Sequence, residues 1–167
     1  MFVFYSLILM FFKVNVIEHF KGVSQALLVA FSTSSSVATI PVTSRCLIEK
    51  LSYKEDKVNF IIPIGATINM DGTALFECVV VIFIAQLYGI DLSFIEQLLI
   101  LLLALITSIG VAGIPSASFV AIIVILGAVG LPFEAVGIII GIDRLLDMLR
   151  TSVNVYGDTC CVSIVAK

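Results

Sequence analysis

Chemically active side chains cluster in one segment of the chain, DRLLDMLRTSVNVYGD at residues 143–158. At 100° per residue, a helix would place five of its polar side chains within a stripe about 80° wide. These are Asp143, Asp147, Arg150, Asn154 and Asp158. The planar guanidinium of Arg150 suits a carboxylate, and the Asp147 carboxylate one turn away suits an ammonium. The stripe therefore predicts a ligand that carries both charges, although an Asp147–Arg150 ion pair that only neutralises itself also fits the i, i+3 spacing.

Oxygen-bearing residues elsewhere could complete such a site. Serines and exposed backbone N–H groups in the tract Ser32–Ser36 suit a second carboxylate, so the three features together describe an acidic amino acid. Side-chain oxygens, without sulfur or imidazole, are the ligands that a small hard cation such as Na⁺ prefers. Four residues supply them, namely Asn69, Asp71, Asn154 and Asp158. Backbone carbonyls freed at Gly65, Thr67 and 108–111 could complete such shells.

The rest of the chain has the composition of a membrane protein. Of its 167 residues, 60% are hydrophobic and 13% are charged, and the mean hydropathy is +1.22, whereas soluble domains carry roughly 25% charged residues. A sphere of this size could not hide so much apolar surface from water, so lipid must be part of its solvent. A charge at the centre of a spanning helix costs roughly 2.5–3.5 kcal/mol, which makes the stripe a functional candidate. The net charge of −3 excludes a polybasic nucleic-acid binder.

Several apolar segments are too short or too broken to cross a bilayer as plain helices. Residues 98–106 and 119–131 flank a Gly/Ser/Pro-rich break and fall short of the roughly 20 residues that a span requires, so they predict a re-entrant hairpin. The helices on either side of Ser32–Ser36 predict another. Residues 60–90 are long enough to span, yet NMDGT interrupts them at 69–73. Because unwound backbone at membrane depth is tolerated only where it is buried or lines a cavity, a transporter-like interior is favoured.

The two halves of the chain repeat this arrangement, and the basic residues orient it. Pro41 precedes Asn69 by 28 residues, and Pro115 precedes Asp143 by the same number, as expected for paired interrupted segments around a midplane site. The positive-inside rule places the basic side in the cytoplasm. The first hairpin then enters from the cytoplasm and the second from outside, so that their tips meet at mid-membrane. The residues that set this orientation are Lys13, Lys21, Arg45, Lys50, Lys54, Lys57 and Lys167.

The predicted fold is an all-α membrane protein with an inverted-repeat transport core, built from two re-entrant helical hairpins and two interrupted spanning helices, and N-terminally truncated. Truncation is expected because Met1–Phe12 is too short to span and resembles the end of a transmembrane helix; a short interfacial helix is the alternative. The predicted segments are a helix remnant and link (1–19), the first hairpin and a cytoplasmic loop (20–57), the interrupted transmembrane helix with NMDGT (58–90), the second hairpin (91–131) and the last transmembrane helix and tail (132–167).

Four motifs give the chain a resemblance to a known family. TSSSVATIPVT, GATINMDGTA, SIGVAGIPSAS and DRLLDMLRTSVNVYGD resemble, in this order, signature segments of the glutamate/aspartate transporter family, the dicarboxylate/amino acid:cation symporters that include the excitatory amino-acid transporters. The resemblance runs from about Phe20 to Asp158. It implies the mobile transport domain of an elevator-type, multi-pass cell-membrane transporter rather than an enzyme. It also implies missing scaffold helices, a homotrimer in the full-length protein, and inward symport of acidic amino acids with Na⁺, often with H⁺ entry and K⁺ exit.

The same resemblance assigns substrate positions. Asp147 matches the residue that holds the substrate ammonium, and Arg150 the residue that holds its side-chain carboxylate. Ser35 and Ser36 match the serines of the first tip that meet the α-carboxylate. The remaining matches are Thr73 beside the side-chain carboxylate, Thr151 and Asn154 near the α-carboxylate and ammonium, and Gly113 and Ile114 on the second tip, which closes over the substrate.

Three sodium sites are implied in the same way. The first maps to Gly65, Asn69, Asn154 and Asp158. The second maps to the backbone of Thr67, Ser108, Ile109 and Val111, with Met70 between the two sites. The third uses Asn69 and Asp71 together with residues of an earlier helix that is absent from this chain.

Departures from the family pattern leave alternatives open. Relatives usually carry a second arginine at the position of Ser34 or of Met148, and this chain has neither, so K⁺ coupling is open. Glu77 either takes part in H⁺ coupling or only contacts a neighbouring polar group. A C4-dicarboxylate carrier would not need Asp147, and a neutral amino-acid carrier would lack Arg150. A truncated fragment that does not transport is the third alternative.

The two acidic motifs and the single histidine allow two more interpretations. An intramembrane aspartyl protease is disfavoured because neither GID at 141–143 nor MDG at 70–72 fits its GxGD pattern. The single histidine, His19, is expected to be an interfacial polar residue.

Overall fold

The computed structural model describes residues 1–110 and 118–166, and within these ranges every regular element is helical. The prediction of an all-α chain is confirmed. The α-helices are α1 (Phe2–Phe11), α2 (Val16–Thr33), α3 (Ser36–Arg45), α4 (Glu55–Ile68), α5 (Asp71–Leu87), α6 (Phe94–Gly110), α7 (Ser118–Ala128) and α8 (Gly137–Val165). A π-helical turn (Cys46–Lys50) follows α3, and a 3₁₀ turn (Phe133–Val136) precedes α8.

The hydroxyl-rich tract breaks the chain between α2 and α3 through its capping chemistry. Ser34 ends α2 in the left-handed region, with φ of 51°. Ser35 is extended, and its hydroxyl accepts the backbone N–H of Ala38 at 3.2 Å, which satisfies a donor of the first turn of α3. The two helices then pack against each other and against α8.

The NMDGT motif interrupts the other predicted span. Helix α4 ends at Ile68 and α5 begins at Asp71, so Asn69 and Met70 form a non-helical link. Taken together, Glu55–Leu87 is the one stretch of the described residues that is long and apolar enough to cross a membrane, judged by length and composition alone.

The second predicted interruption is wrong. Helix α8 is continuous from Gly137 to Val165. The acidic motif does not break it because its buried charges Asp143, Asp147 and Arg150 pair with one another, and because no proline removes a backbone hydrogen bond there.

Helix α8 is the central element, because it contributes to both buried apolar clusters. Its C-terminal half shares one cluster with α1, α2, α4 and the π-helical turn. Its N-terminal half packs on α5 and contributes Ile139 to the second cluster, which α5, α6 and α7 mainly form. Fifteen residues of α8 are buried, and most of them are polar or small. Apolar side chains on the outside of the bundle are exposed, among them Phe11, Phe94 and Ile95, as expected for a surface that faces lipid or further protein.

The expectation for His19 is also wrong, because its side chain is buried between α2 and α8. It is only 1% exposed. Its Nε2 lies 3.1 Å from the Thr159 hydroxyl, and its Nδ1 lies 2.9 Å from the Ser163 hydroxyl. The helix-to-helix packing that covers His19 involves residues more than a hundred positions away, so local sequence did not indicate it.

Candidate functional site

Arg150 is the centre of a buried charge cluster. Its guanidinium lies 3.1 Å from Asp143 and 3.0 Å from Asp147. It also lies 4.2 Å from the centroid of the Phe76 ring, in cation–π geometry. The arginine and both aspartates are at most 6% exposed. The Asp147–Arg150 ion pair, one of the two alternatives from the sequence, is therefore present. The sequence analysis missed Asp143 and Phe76 as partners of Arg150, although Asp143 lies on the same helical stripe.

Asn154 links α8 to the NMDGT segment, at the non-helical Met70 and at the first turn of α5. Its side-chain oxygen accepts the backbone N–H of Gly72 at 2.7 Å. Its Nδ2 donates to the Thr73 hydroxyl at 3.1 Å and lies 3.3 Å from the Met70 sulfur. The link has a physical cause, because the first N–H groups of α5 have no partner within their own helix. Thr73, Met70 and Asn154 are thus brought together, and Thr151 is buried beside Arg150.

The four residues predicted for the first sodium site also meet. Asn69 Nδ2 donates to Asp158 Oδ1 at 2.8 Å and to the backbone oxygen of Asn154 at 3.4 Å. A Cβ added at Gly65 would overlap the Asp158 carboxylate, so only a glycine allows α4 to approach this side chain so closely. Asp158 is 2% exposed. The oxygens of this cluster are the Asp158 carboxylate and the Asn154 backbone carbonyl, and Asn69 presents its N–H groups to them. A half-turn of the Asn69 amide would add a third oxygen, and such a donor set fits a small hard cation.

Asp71 is held by a residue that the sequence analysis did not single out. The Tyr5 hydroxyl of α1 donates a hydrogen bond to Asp71 Oδ2 across 66 positions of sequence. Nothing in the local pattern around Tyr5 indicates this contact, since it depends on how α1 packs against α8 and α5.

The second predicted sodium set is not joined by hydrogen bonds in the described part of the chain. Thr67 is exposed, and its hydroxyl donates to Pro63 and Ile64 of its own helix. Ser108 is buried, but its hydroxyl donates to Leu105 of α6, and Ile109 is 48% exposed. The last member of this set, Val111, lies outside the described residues, as do Gly113 and Ile114 of the predicted second tip.

The predicted serines of the first tip have defined partners. Ser35 caps α3. Ser36 is 3% exposed, and its hydroxyl donates to the backbone oxygen of Ala66 in α4 at 2.9 Å. The neighbouring Ser34 hydroxyl is buried and has no hydrogen-bond partner among residues 1–110 and 118–166.

Glu77 is fully buried between α5 and α6. Its Oε2 accepts the Thr107 hydroxyl at 2.8 Å, while its Oε1 has no hydrogen-bond partner within the described ranges. The contact with a polar neighbour is therefore present, and a part in H⁺ coupling stays a prediction.

A cavity of about 500 Å³ opens onto Asn69 and Asp158. Its polar lining consists of Tyr5, Asn69 and Asp158, with the Gly65 and Gly157 backbones beside them. Isoleucine and phenylalanine side chains of α1, α4 and α8 form its other walls. Within the described residues, no group of three or more His, Cys, Asp or Glu side chains is close enough to hold a metal ion. Any cation here would therefore depend on amide and backbone oxygens as well as carboxylates.

Comparisons with known proteins agree with these features. The sequence model of the sodium:dicarboxylate symporter family matches residues 1–167. The chain is 52% identical over 146 residues to excitatory amino acid transporter 3 of Mus musculus, which covers 87% of this chain and 28% of that protein. It is 47% identical over 163 residues to an excitatory amino acid transporter of Caenorhabditis elegans, a match that covers 96% of this chain and 32% of that protein. It is 48% identical over 151 residues to excitatory amino acid transporter 2 of Homo sapiens, which covers 90% of this chain and 26% of that protein. The chain thus spans less than a third of the length of these relatives.

Proposed function

The chain belongs to the sodium:dicarboxylate symporter family, and we propose that it forms the substrate-binding part of a sodium-coupled transporter of acidic amino acids. Its family consists of membrane transporters rather than enzymes, and sodium coupling is general to it. The observation that carries the substrate proposal is the buried Arg150 shared by two aspartates in an apolar protein.

An acidic amino acid matches this cluster in charge and spacing. Its side-chain carboxylate would take a place at the guanidinium of Arg150, and its ammonium would pair with Asp147. Arg150 and Asp147 then each keep an opposite charge in exchange for the contact between them, which matters because an uncompensated buried charge is strongly destabilising. A dicarboxylate offers no cation to Asp147, and a neutral amino acid offers no second anion to Arg150.

The α-carboxylate of the substrate would lie between the two tips. Ser35 and Ser36 stand at the N-terminus of α3, where N–H groups and the helix dipole favour an anion. Thr73, Thr151 and Asn154 supply further polar groups. Gly113 and Ile114 are proposed to close the site from the second tip. We propose that both tips belong to re-entrant hairpins, with the second acting as the outer gate of an elevator-type transport domain.

Sodium would bind one turn below the substrate on the same face of α8. Gly65, Asn69, Asn154 and Asp158 form the first proposed site, and Asp71 with Asn69 contributes to the third. The second is proposed from Thr67, Ser108, Ile109, Val111 and Met70. Arg150, Asn154 and Asp158 follow each other at intervals of four residues, so an ion that fixes Asn154 and Asp158 also orders the helix turn beside the substrate. That shared helix face is the proposed physical basis of coupling.

The wider assignments rest on the family alone. They are a homotrimer, scaffold helices outside these residues, a multi-pass location in the cell membrane, and H⁺ and K⁺ coupling.

Calorimetric titration of aspartate into the purified chain, with Na⁺ or with choline, tests this function. We expect heat of binding only with Na⁺. Sodium-independent binding would contradict the cation sites, and no binding in either salt would contradict the substrate site in this chain.

Substrate class is tested with Arg150→Cys, which should lose aspartate and gain neutral amino acids. Unchanged aspartate binding by this variant would overturn the role of Arg150. Uptake by the reconstituted chain separates a complete transporter from a fragment that only binds, because robust uptake would rule out the second.

A further inference from the structure

Helix α1 lies outside every site proposed above, yet one of its side chains reaches the ionic cluster. Tyr5 is 8% exposed, and its hydroxyl donates to Asp71 Oδ2 at the first turn of α5. Asp71 begins α5 directly after the non-helical link. Its carboxylate therefore depends on contacts from other helices for its orientation.

Gly157 shows how closely this contact is built into α8. A Cβ added at Gly157 would lie 2.6 Å from the Tyr5 hydroxyl oxygen and 2.8 Å from Asn69 Nδ2. The Tyr5 hydroxyl and the Asn69 amide therefore both contact α8 at Gly157, where the helix has no side chain. Asn69 in turn donates to Asp158, the next residue of α8. Tyr5–Asp71 and Asn69–Asp158 are thus two adjacent hydrogen bonds that meet above Gly157.

The ring of Tyr5 is fixed by aromatic neighbours. It packs edge-on against Tyr156 of α8, with centroids 6.1 Å apart and an interplanar angle of 82°, and it lies edge-on to Phe4 as well. A ring held in this way directs its hydroxyl in one direction. Tyr5 also lines the cavity that opens onto Asn69 and Asp158, so the residue that holds Asp71 is shared with the neighbouring Asn69–Asp158 pair.

We propose that Tyr5 is a positioning residue of the sodium machinery, which fixes the Asp71 carboxylate by donating to one of its oxygens. This inference rests on the proposed sodium function. A donor on Oδ2 holds the carboxylate plane in place and leaves Oδ1 and the remaining lone pairs for a cation. Partners of this kind orient metal ligands, and their loss typically weakens metal affinity about 10–100-fold.

The test uses sodium-dependent thermal stabilisation of the purified chain, because a cation that binds the folded state raises its stability with concentration. Melting temperatures are measured across Na⁺ concentrations, with choline balancing the ionic strength. Tyr5→Phe removes only the hydroxyl. Tyr156→Phe is the matched control. Tyr156 belongs to the same aromatic cluster, and among the described residues its hydroxyl forms no hydrogen bond with Asp71.

We expect Tyr5→Phe to raise the Na⁺ concentration of half-maximal stabilisation about tenfold, with the midpoint of Tyr156→Phe unchanged. Stabilisation is measured from each protein's own melting temperature in choline, which Tyr5→Phe lowers because the Asp71 carboxylate loses a hydrogen-bond donor. A midpoint of wild-type value in Tyr5→Phe overturns this inference and leaves the sodium sites standing. Equal shifts in both variants overturn it too, because they show a general effect of the aromatic cluster. If the wild-type chain itself is not stabilised by Na⁺, the proposed sodium function fails and the inference fails with it.

A second measurement covers the case in which Tyr5→Phe does not fold. In the wild-type chain labelled with 3-fluorotyrosine, the ¹⁹F resonance of Tyr5 should shift during a Na⁺ titration with the midpoint found by melting. A resonance that stays constant while Na⁺ stabilises the chain overturns the inference.

Discussion

Replacing Arg150 by methionine would leave two buried carboxylates without their shared cation. Asp143 and Asp147 are 2% and 4% exposed, and both pair with this guanidinium. Removing one partner of a buried ion pair costs about 3–5 kcal/mol of the free energy of unfolding. The exposed neighbour Arg144 provides the matched control, because surface substitutions usually change stability by less than about 0.5 kcal/mol. We therefore expect a large loss for Arg150→Met and almost none for Arg144→Met.

A second variant separates stability from substrate binding. Asp143→Asn in the Arg150→Met background removes one of the two uncompensated charges. Since the two aspartates share one cation, we expect recovery of roughly half the loss, ~2 kcal/mol. Aspartate binding should not recover, because the guanidinium is still absent. Hydrogen bonds to charged groups contribute about 1.5–3 kcal/mol, so both variants should bind aspartate at least about tenfold more weakly than the wild type.

Two measurements check these expectations, namely chemical unfolding in detergent micelles and calorimetric titration of aspartate with Na⁺. If the double variant is no more stable than Arg150→Met, the argument from uncompensated carboxylates is wrong. If Arg150→Met binds aspartate as the wild type does, the proposed contact between the guanidinium and the substrate is wrong.

Two further substitutions follow from close packing around α8. Gly65→Ala places a methyl group against the Asp158 carboxylate. It should destabilise the chain by about 1–3 kcal/mol and raise the Na⁺ concentration needed for aspartate binding. Gly141→Ala is the control, because its methyl group would lie in open space, and it should change neither quantity. His19→Ala removes a fully buried ring that bonds two hydroxyls of α8, and it should lower the free energy of unfolding by roughly 2–5 kcal/mol. Thermal unfolding at fixed Na⁺ checks both, and a melting temperature unchanged by His19→Ala would contradict the packing of α2 on α8.

The sequence predicted breaks at Ser32–Ser36 and at NMDGT, 69–73, and the structure confines the second to Asn69 and Met70. The first break could be predicted because its cause is local. A run of hydroxyl residues competes with the helix backbone for hydrogen bonds and favours caps. The predicted break in the last helix was wrong for a reason that is not local. An acidic run in an apolar helix suggests an interruption when its charges have no known partners. In α8, Asp143 and Asp147 pair with Arg150 on one face, so the helix continues.

The sequence by itself determined the class of the protein, its family and the polar stripe of α8. Composition, helical period and motif spacing are properties of neighbouring residues, so they can be read without a fold. Only the tertiary structure decided which partner each stripe residue has. Phe76 on Arg150, Tyr5 on Asp71 and His19 on the end of α8 are contacts between different helices. They depend on how the helices pack. A hydrogen bond or a ring contact forms only when two groups come within a few ångströms, and the number of residues between two positions does not show whether they do.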